Sequence, residues 1–200
     1  MNLKEYHEVS SLTYLQYCDY LQAKYGKGKY NYMTKTWDRN SKVSRTKEGL
    51  LCHHKCEDRC IMLATKEIAM KFPYAWQEKD NLVYCNYLEH LLLHVLICKY
   101  PSPETPKHMQ VGVGGAINFL IPELNDFYSG WSTEQAWRKT CLGVVKNDKE
   151  VYLAIIKQLK DINKEKNLFD EGDLCSSYNA QYGLWNKRNN LRLYAEIKLL

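Results

Sequence analysis

Apolar and polar residues alternate along this chain with periods that change from segment to segment. In 10-SSLTYLQYCDYLQAKY-25, Leu12, Leu15, Tyr17 and Leu21 recur near the helical period and predict one helix. Ser10 or Ser11 is placed to cap it, and Gly26 and Gly28 to end it. The pattern is lost over 29–48, which is polar and basic and reads as a loop-rich arm. The short apolar run 49-GLLCHH-54 reads as a strand. Residues 60-CIMLATKEIAMKF-72 regain the helical period and stop before Pro73. A brief extended piece or turn follows at 81-NLVYC-85, then a strong helix over 87-YLEHLLLHVLICKY-100. The segment PSPETP (101–106) is the clearest linker.

Beyond the linker, VGVGGA (111–116) precedes AINFLIPELNDFY. It does not match the glycine fingerprint of a phosphate-binding turn, because no strand candidate precedes it at the right spacing. Helices are predicted over 132–145, where Ser132 and Gln135 have capping-box spacing, over 147–166 and over about 188–199. No internal repeat is present. The pattern predicts an α+β chain, mostly helical, in three regions. Residues 1–47 form a helix and a basic, tyrosine-rich arm, 48–100 a small strand-and-helix core, and 107–200 a helical region suited to DNA binding or oligomerisation.

Composition narrows the classes. The 200 residues are 45% hydrophobic, as in a globular chain. No apolar run is long enough for a membrane span, so no membrane partner is expected. The N-terminal MNLKEYHEVSS lacks an apolar signal core, which predicts a cytoplasmic protein. The formal net charge of +5 permits a polyanionic partner without demanding one. Of the 16 tyrosines, Tyr6, Tyr14, Tyr17, Tyr20, Tyr25, Tyr30 and Tyr32 crowd the start of the chain among Lys24, Lys27 and Lys29. Aromatics among basic residues suit nucleic acid, and they equally suit half-buried helix faces. The eight cysteines form no regular frame and contain no C-x2-C pair. Buried free thiols are the simpler expectation, with a zinc site at Cys56 and Cys60 weakly signalled.

The chemistry is concentrated in histidines. Four of the six lie in two windows, 51-LCHHKCED-58 and 80-DNLVYCNYLEHLLLH-94. His90 and His94, four apart, project from one face of the helix predicted there. A zinc-protease motif needs Glu directly after the first histidine, but Leu91 stands there and Glu89 precedes it. An arrangement of two strands and a helix around a metal fits better. A strand end supplies one ligand and, next to it, a general base, while the helix supplies the remaining ligands. His suits the base because its pKa lies near working pH, and a nearby Asn can orient the ring.

The order H-H, N-L-V, H-x3-H resembles that of the HNH, or His-Me finger, endonucleases over residues 48–98. The spacing of Asn81, His90 and His94 is similar to that of colicin-type DNases. The resemblance implies a ββα-metal finger embedded among helices. In it His53, His90 and His94 are metal ligands (His94 alternatively a phosphate contact), His54 is the general base and Asn81 orients His54. It also implies one divalent ion, with magnesium or manganese supporting turnover; imidazole ligands also suit zinc and nickel. The connection from His54 to Asn81 is longer than in a minimal finger, and the zinc-stapling cysteine pairs of many such modules are absent.

Glu57 and Asp58 are expected to cap the 60–72 helix, with ion binding as the alternative. His7 and His108 lie outside the pattern and read as surface histidines. Lys42, Arg45, Arg138, Lys187 and Arg188 are the first candidates for phosphate contacts, with Lys139, Lys146 and Arg192 behind them. DNA is the expected partner, RNA is not excluded, and an oligomer is possible. Two other readings remain open. One is a non-catalytic module in which the same histidines hold a structural zinc; the other is a helical interaction protein with no site.

Overall fold

A computed structural model describes residues 1–106, 109–177 and 187–200, with the backbone alone at 187–189. The chain is mostly helical with one two-stranded antiparallel sheet. The first predicted helix, 10–25, starts later than expected, and a short helix that the pattern does not predict precedes it. Helix α1 (Leu3–Val9) closes on Ser10, and α2 (Tyr14–Tyr25) starts from a capping box made by Thr13 and Gln16. That reciprocal pair fixes the start of α2 three residues later than a Ser10 cap would. Gly26, at a φ of 77°, ends α2 in a conformation that costs glycine little.

The basic arm is packed rather than free. Tyr32, Met33 and Val43 are buried together with Ala69 and Leu82. Strands β1 (Leu51–His54) and β2 (Leu82–Cys85) pair with His53 opposite Val83 and His54 opposite Leu82. Between them, the helix expected over 60–72 shrinks to α3 (Lys66–Ala69) flanked by short 3-10 turns. Met62 has a φ of 61°, which a right-handed helix cannot accommodate. The backbone instead bends to bury Cys56, Cys60 and Leu63 in a small separate cluster.

Helix α4 (Tyr87–Lys99) begins at a capping box of Asn86 and Glu89. It is buried on nearly every side, from Tyr87 through Cys98 except at His90. A helix apolar all round belongs inside a core. Each fully buried leucine contributes roughly 2 kcal/mol. Leu88, Leu91, Leu92, Leu93 and Leu96 together therefore outweigh the cost of carrying two imidazoles on the same helix.

After the proline-rich segment, α5 (Val113–Gly115) runs through a π-helical turn (Ala116–Leu120) into α6 (Ile121–Tyr128). Helix α7 (Ala136–Gly143) starts at Gln135 without a side-chain cap, so the box expected from Ser132 does not form. Helices α8 (Lys149–Lys166) and α9 (Lys187–Leu199) complete the chain. One apolar core joins Leu21, Leu92, Leu124, Ile155 and Leu193, and so draws on all three regions of the sequence. The eight cysteines are free thiols. No described helix is long and apolar enough to cross a membrane.

Candidate metal centre

Neighbouring residues of a strand point to opposite faces, and this alternation separates His53 from His54. His53 faces α4. Its Nδ1 lies 3.1 Å from Nε2 of His90. The ring centroids of His53, His90 and His94 are 5.0 to 5.3 Å apart. One nitrogen from each of the three rings lies within 4.8 Å of the others, so the group could hold a metal ion. Two nitrogens on a tetrahedral zinc at bonds of about 2.05 Å stand about 3.3 Å apart. The His53–His90 pair is already at that spacing.

Burial fixes the charge state of these rings. It pushes the His53 pKa down to about 3, that of His90 well below the ordinary range, and that of His94 down as well. All three are neutral at pH 7, with lone pairs free for a cation.

Tyr14 decides which nitrogen of His53 is available. Its hydroxyl is 2.8 Å from His53 Nε2 and within 3.2 Å of the carbonyls of His54 and Lys55. A hydroxyl has one proton, which the carbonyls take, so it accepts from His53 Nε2–H. That tautomer leaves Nδ1 unprotonated toward His90 and His94. An acceptor on the far ring nitrogen orients a histidine in the way that metal-ligating histidines need.

Gly115 makes room for His94. A Cβ at Gly115 would stand 2.1 Å from Cε1 of His94, and one at Gly112 would stand 2.7 Å from its carbonyl oxygen. Gly112 and Gly115 of VGVGGA therefore serve the close approach of α5 to α4.

Glu57 is placed differently from the sequence expectation. It does not cap a 60–72 helix, which is largely absent, but points into the histidine cluster from a 3-10 turn (Lys55–Asp58). Its Oε2 is 3.5 Å from His53 Nδ1 and 3.8 Å from His94 Nε2, and its Oε1 is 3.5 Å from His54 Nδ1. Burial alone would raise its pKa, but the charge that the facing His53, His54 and His94 rings carry when protonated outweighs that and holds it below the carboxylate range. One negative carboxylate and three neutral imidazoles converge. Such a set of acceptors is mutually repulsive unless a cation or a proton sits among them.

His54 faces the other way, buried under Tyr32, whose ring centroid is 4.3 Å from its own. His54 Nε2 is 3.1 Å from Oε1 of Gln77, and Gln77 Nε2 donates to the Leu63 carbonyl at 3.1 Å. The second bond fixes which end of the amide faces the ring. His54 then carries its proton on Nε2 and presents the Nδ1 lone pair toward Glu57.

The structure does not bring Asn81 to His54. Asn81 donates instead to the Ala75 carbonyl at 2.7 Å, closing the turn before β2. Gln77, four residues earlier, occupies the position expected of it. Tyr14 and Gln77 carry no motif signal, since one lies on another helix and the other in an irregular connection.

His90 is half-buried and lines a cavity of about 420 Å³ together with Tyr32, Arg39, Arg45, Cys52 and Trp137. Arg39 is exposed, and Arg45 is braced by Glu48 at 2.6 Å and by the Tyr25 carbonyl. Lys42 is exposed nearby. Arg138 is paired with Glu123 at 2.7 Å, which turns it toward its own fold. The side chains of Lys187 and Arg188, and His108 entirely, lie outside the described residues. Compared with family models, with curated proteins and with solved structures, the chain matches none of them.

Proposed function

We propose that this chain is a metal-dependent endonuclease acting on DNA, with β1, β2 and α4 forming a finger of the HNH type. One observation carries the reading: adjacent histidines serve opposite ends of one site. His53 belongs to the three-imidazole cluster, while His54 is held by Gln77 with its free nitrogen toward the carboxylate shared with that cluster. A site meant only to bind an ion has no use for the second histidine and its amide.

His53, His90, His94 and Glu57 would hold a divalent ion, which when bound supplies Lewis acidity at a scissile phosphate. His54 Nδ1 takes the proton from the attacking water. Gln77 Oε1 keeps the opposite proton on Nε2 and stabilises the imidazolium that forms. Arg39, exposed beside His90 in the cavity, pairs with phosphate oxygens. Three imidazoles and one carboxylate suit manganese, zinc or nickel better than magnesium, which prefers oxygen ligands.

The burial of His53 and the presence of four protein donors favour a second reading, a closed structural zinc site. One experiment separates the two. Supercoiled plasmid is incubated with manganese or magnesium and either the parent or His54→Ala. The nuclease reading expects the variant to bind metal like the parent and to lose cleavage by about 100-fold or more. Equal cleavage by the variant would remove His54 as base. No cleavage by the parent with any divalent ion would leave the structural reading.

A further inference from the structure

We infer that a second cavity, beyond Arg45, holds a single-stranded DNA segment flanking the cleaved phosphate. The proposal rests on the nuclease reading and adds the substrate's path. Arg45 lines both the cavity at His90 and this neighbouring one of about 390 Å³, so the two adjoin on either side of its side chain. Tyr25, Tyr30, Tyr84, Lys29 and Lys42 line the second cavity with it.

The wall combines the two groups a single strand needs, flat aromatic faces and free cations. Tyr30 is 44% exposed, a large fraction for a ring set in a cavity, and Lys42 Nζ lies 5.7 Å from its centroid. Arg45 lies 4.6 Å over Tyr84 and is neutralised by Glu48, so it serves as a fixed divider between the cavities. Lys29 and Lys42 enter no direct ion pair among the described residues, and both are exposed. A paired duplex buries its base faces in the stack and gives Tyr30 nothing to stack on. An unpaired strand offers both base faces and phosphates.

The test measures binding apart from cleavage. Fluorescence anisotropy in EDTA follows labelled short oligo(dT), a duplex of the same length, and oligo(U). The proteins are the parent, Tyr30→Ala, the double variant Lys29→Ala/Lys42→Ala, and a control, Lys157→Ala/Lys164→Ala, on α8, which lines neither cavity.

Expected are a roughly tenfold loss of oligo(dT) affinity for Tyr30→Ala, with duplex binding little changed. For the lysine pair, a similar loss and a salt slope shallower by about 1 to 2 are expected. The control should match the parent. Unchanged oligo(dT) binding in both test variants overturns the proposal, and so does an equal loss on single strand and duplex for Tyr30→Ala, or binding of oligo(U) alone. If these occur while the parent still cuts plasmid, the path is wrong and the nuclease reading stands. A parent that neither binds oligo(dT) nor cuts removes both.

Discussion

Gln77 Oε1 accepts from Nε2 of His54 at 3.1 Å, and the same amide is locked by its bond to Leu63. Gln77→Leu keeps the volume and removes the acceptor. Cleavage should fall by about 10- to 100-fold with metal affinity retained. Asn81→Ala, which loses only a bond to Ala75, should cut at near-parental rate. Rates of plasmid nicking for both variants decide which amide orients the ring; the reverse ranking would restore Asn81.

Tyr14→Phe removes the hydroxyl that sets the His53 tautomer. Metal affinity should drop by about 10- to 100-fold, read by competition against a chromogenic chelator. The fold should persist, since the phenyl ring stays in the core.

Gly115→Ala drives a methyl group into the His94 ring. Overpacking of this kind costs about 1 to 3 kcal/mol, and displacing His94 weakens the metal-dependent rise in melting temperature. Gly143→Ala, with open space around it, is the matched control and should leave both quantities near parental values. Differential scanning fluorimetry with and without added zinc or manganese measures both.

Acid should destabilise the metal-free protein well above the carboxylate range. The folded-state pKa values of His53, His90 and His94 are all depressed by burial. The unfolded chain takes up protons near pH 6.5 that the folded chain refuses. Stability is therefore intact above that pH and falls as the pH drops toward the folded values. His53 alone, with a folded pKa of about 3, accounts for about 2 kcal/mol between pH 6.5 and 5. Glu57 adds nothing in this window because it stays ionised in both states. Urea unfolding in EDTA at pH 7.5 and 5.0 measures the loss. A flat profile would show that the rings are already protonated in the fold.

Removing metal should lower stability at neutral pH, because the converging lone pairs and the Glu57 carboxylate lose their counter-charge. A Glu57→Gln variant relieves part of that repulsion. It should narrow the gap in melting temperature between metal-loaded and EDTA-treated protein.

Much of this site could be read from residue spacing. His90 and His94 share a helix face because four residues make about one turn, and the apolar run around them required α4 to be buried. The HH pair at the end of a short apolar run required adjacent rings on opposite faces of a strand. The helix that the apolar period predicts over 60–72 does not form because it is interrupted at Met62, whose backbone conformation no local propensity reveals. Glu57 is no helix cap for the same reason, since the helix it would cap does not form.

The sequence by itself determined the mostly helical fold with one small sheet, the strand that ends in His53 and His54, and the helix that carries His90 and His94. These follow from periodicity and from neighbours a few residues apart. Only the tertiary structure decided that Tyr14 supports His53, that Gln77 rather than Asn81 holds His54, that Glu57 joins the imidazoles, and that Gly115 lets His94 into place. Those contacts bridge segments whose approach is set by burial of the common core. Hydrogen bonding selects whichever polar group that packing delivers, and chain spacing carries no record of the choice.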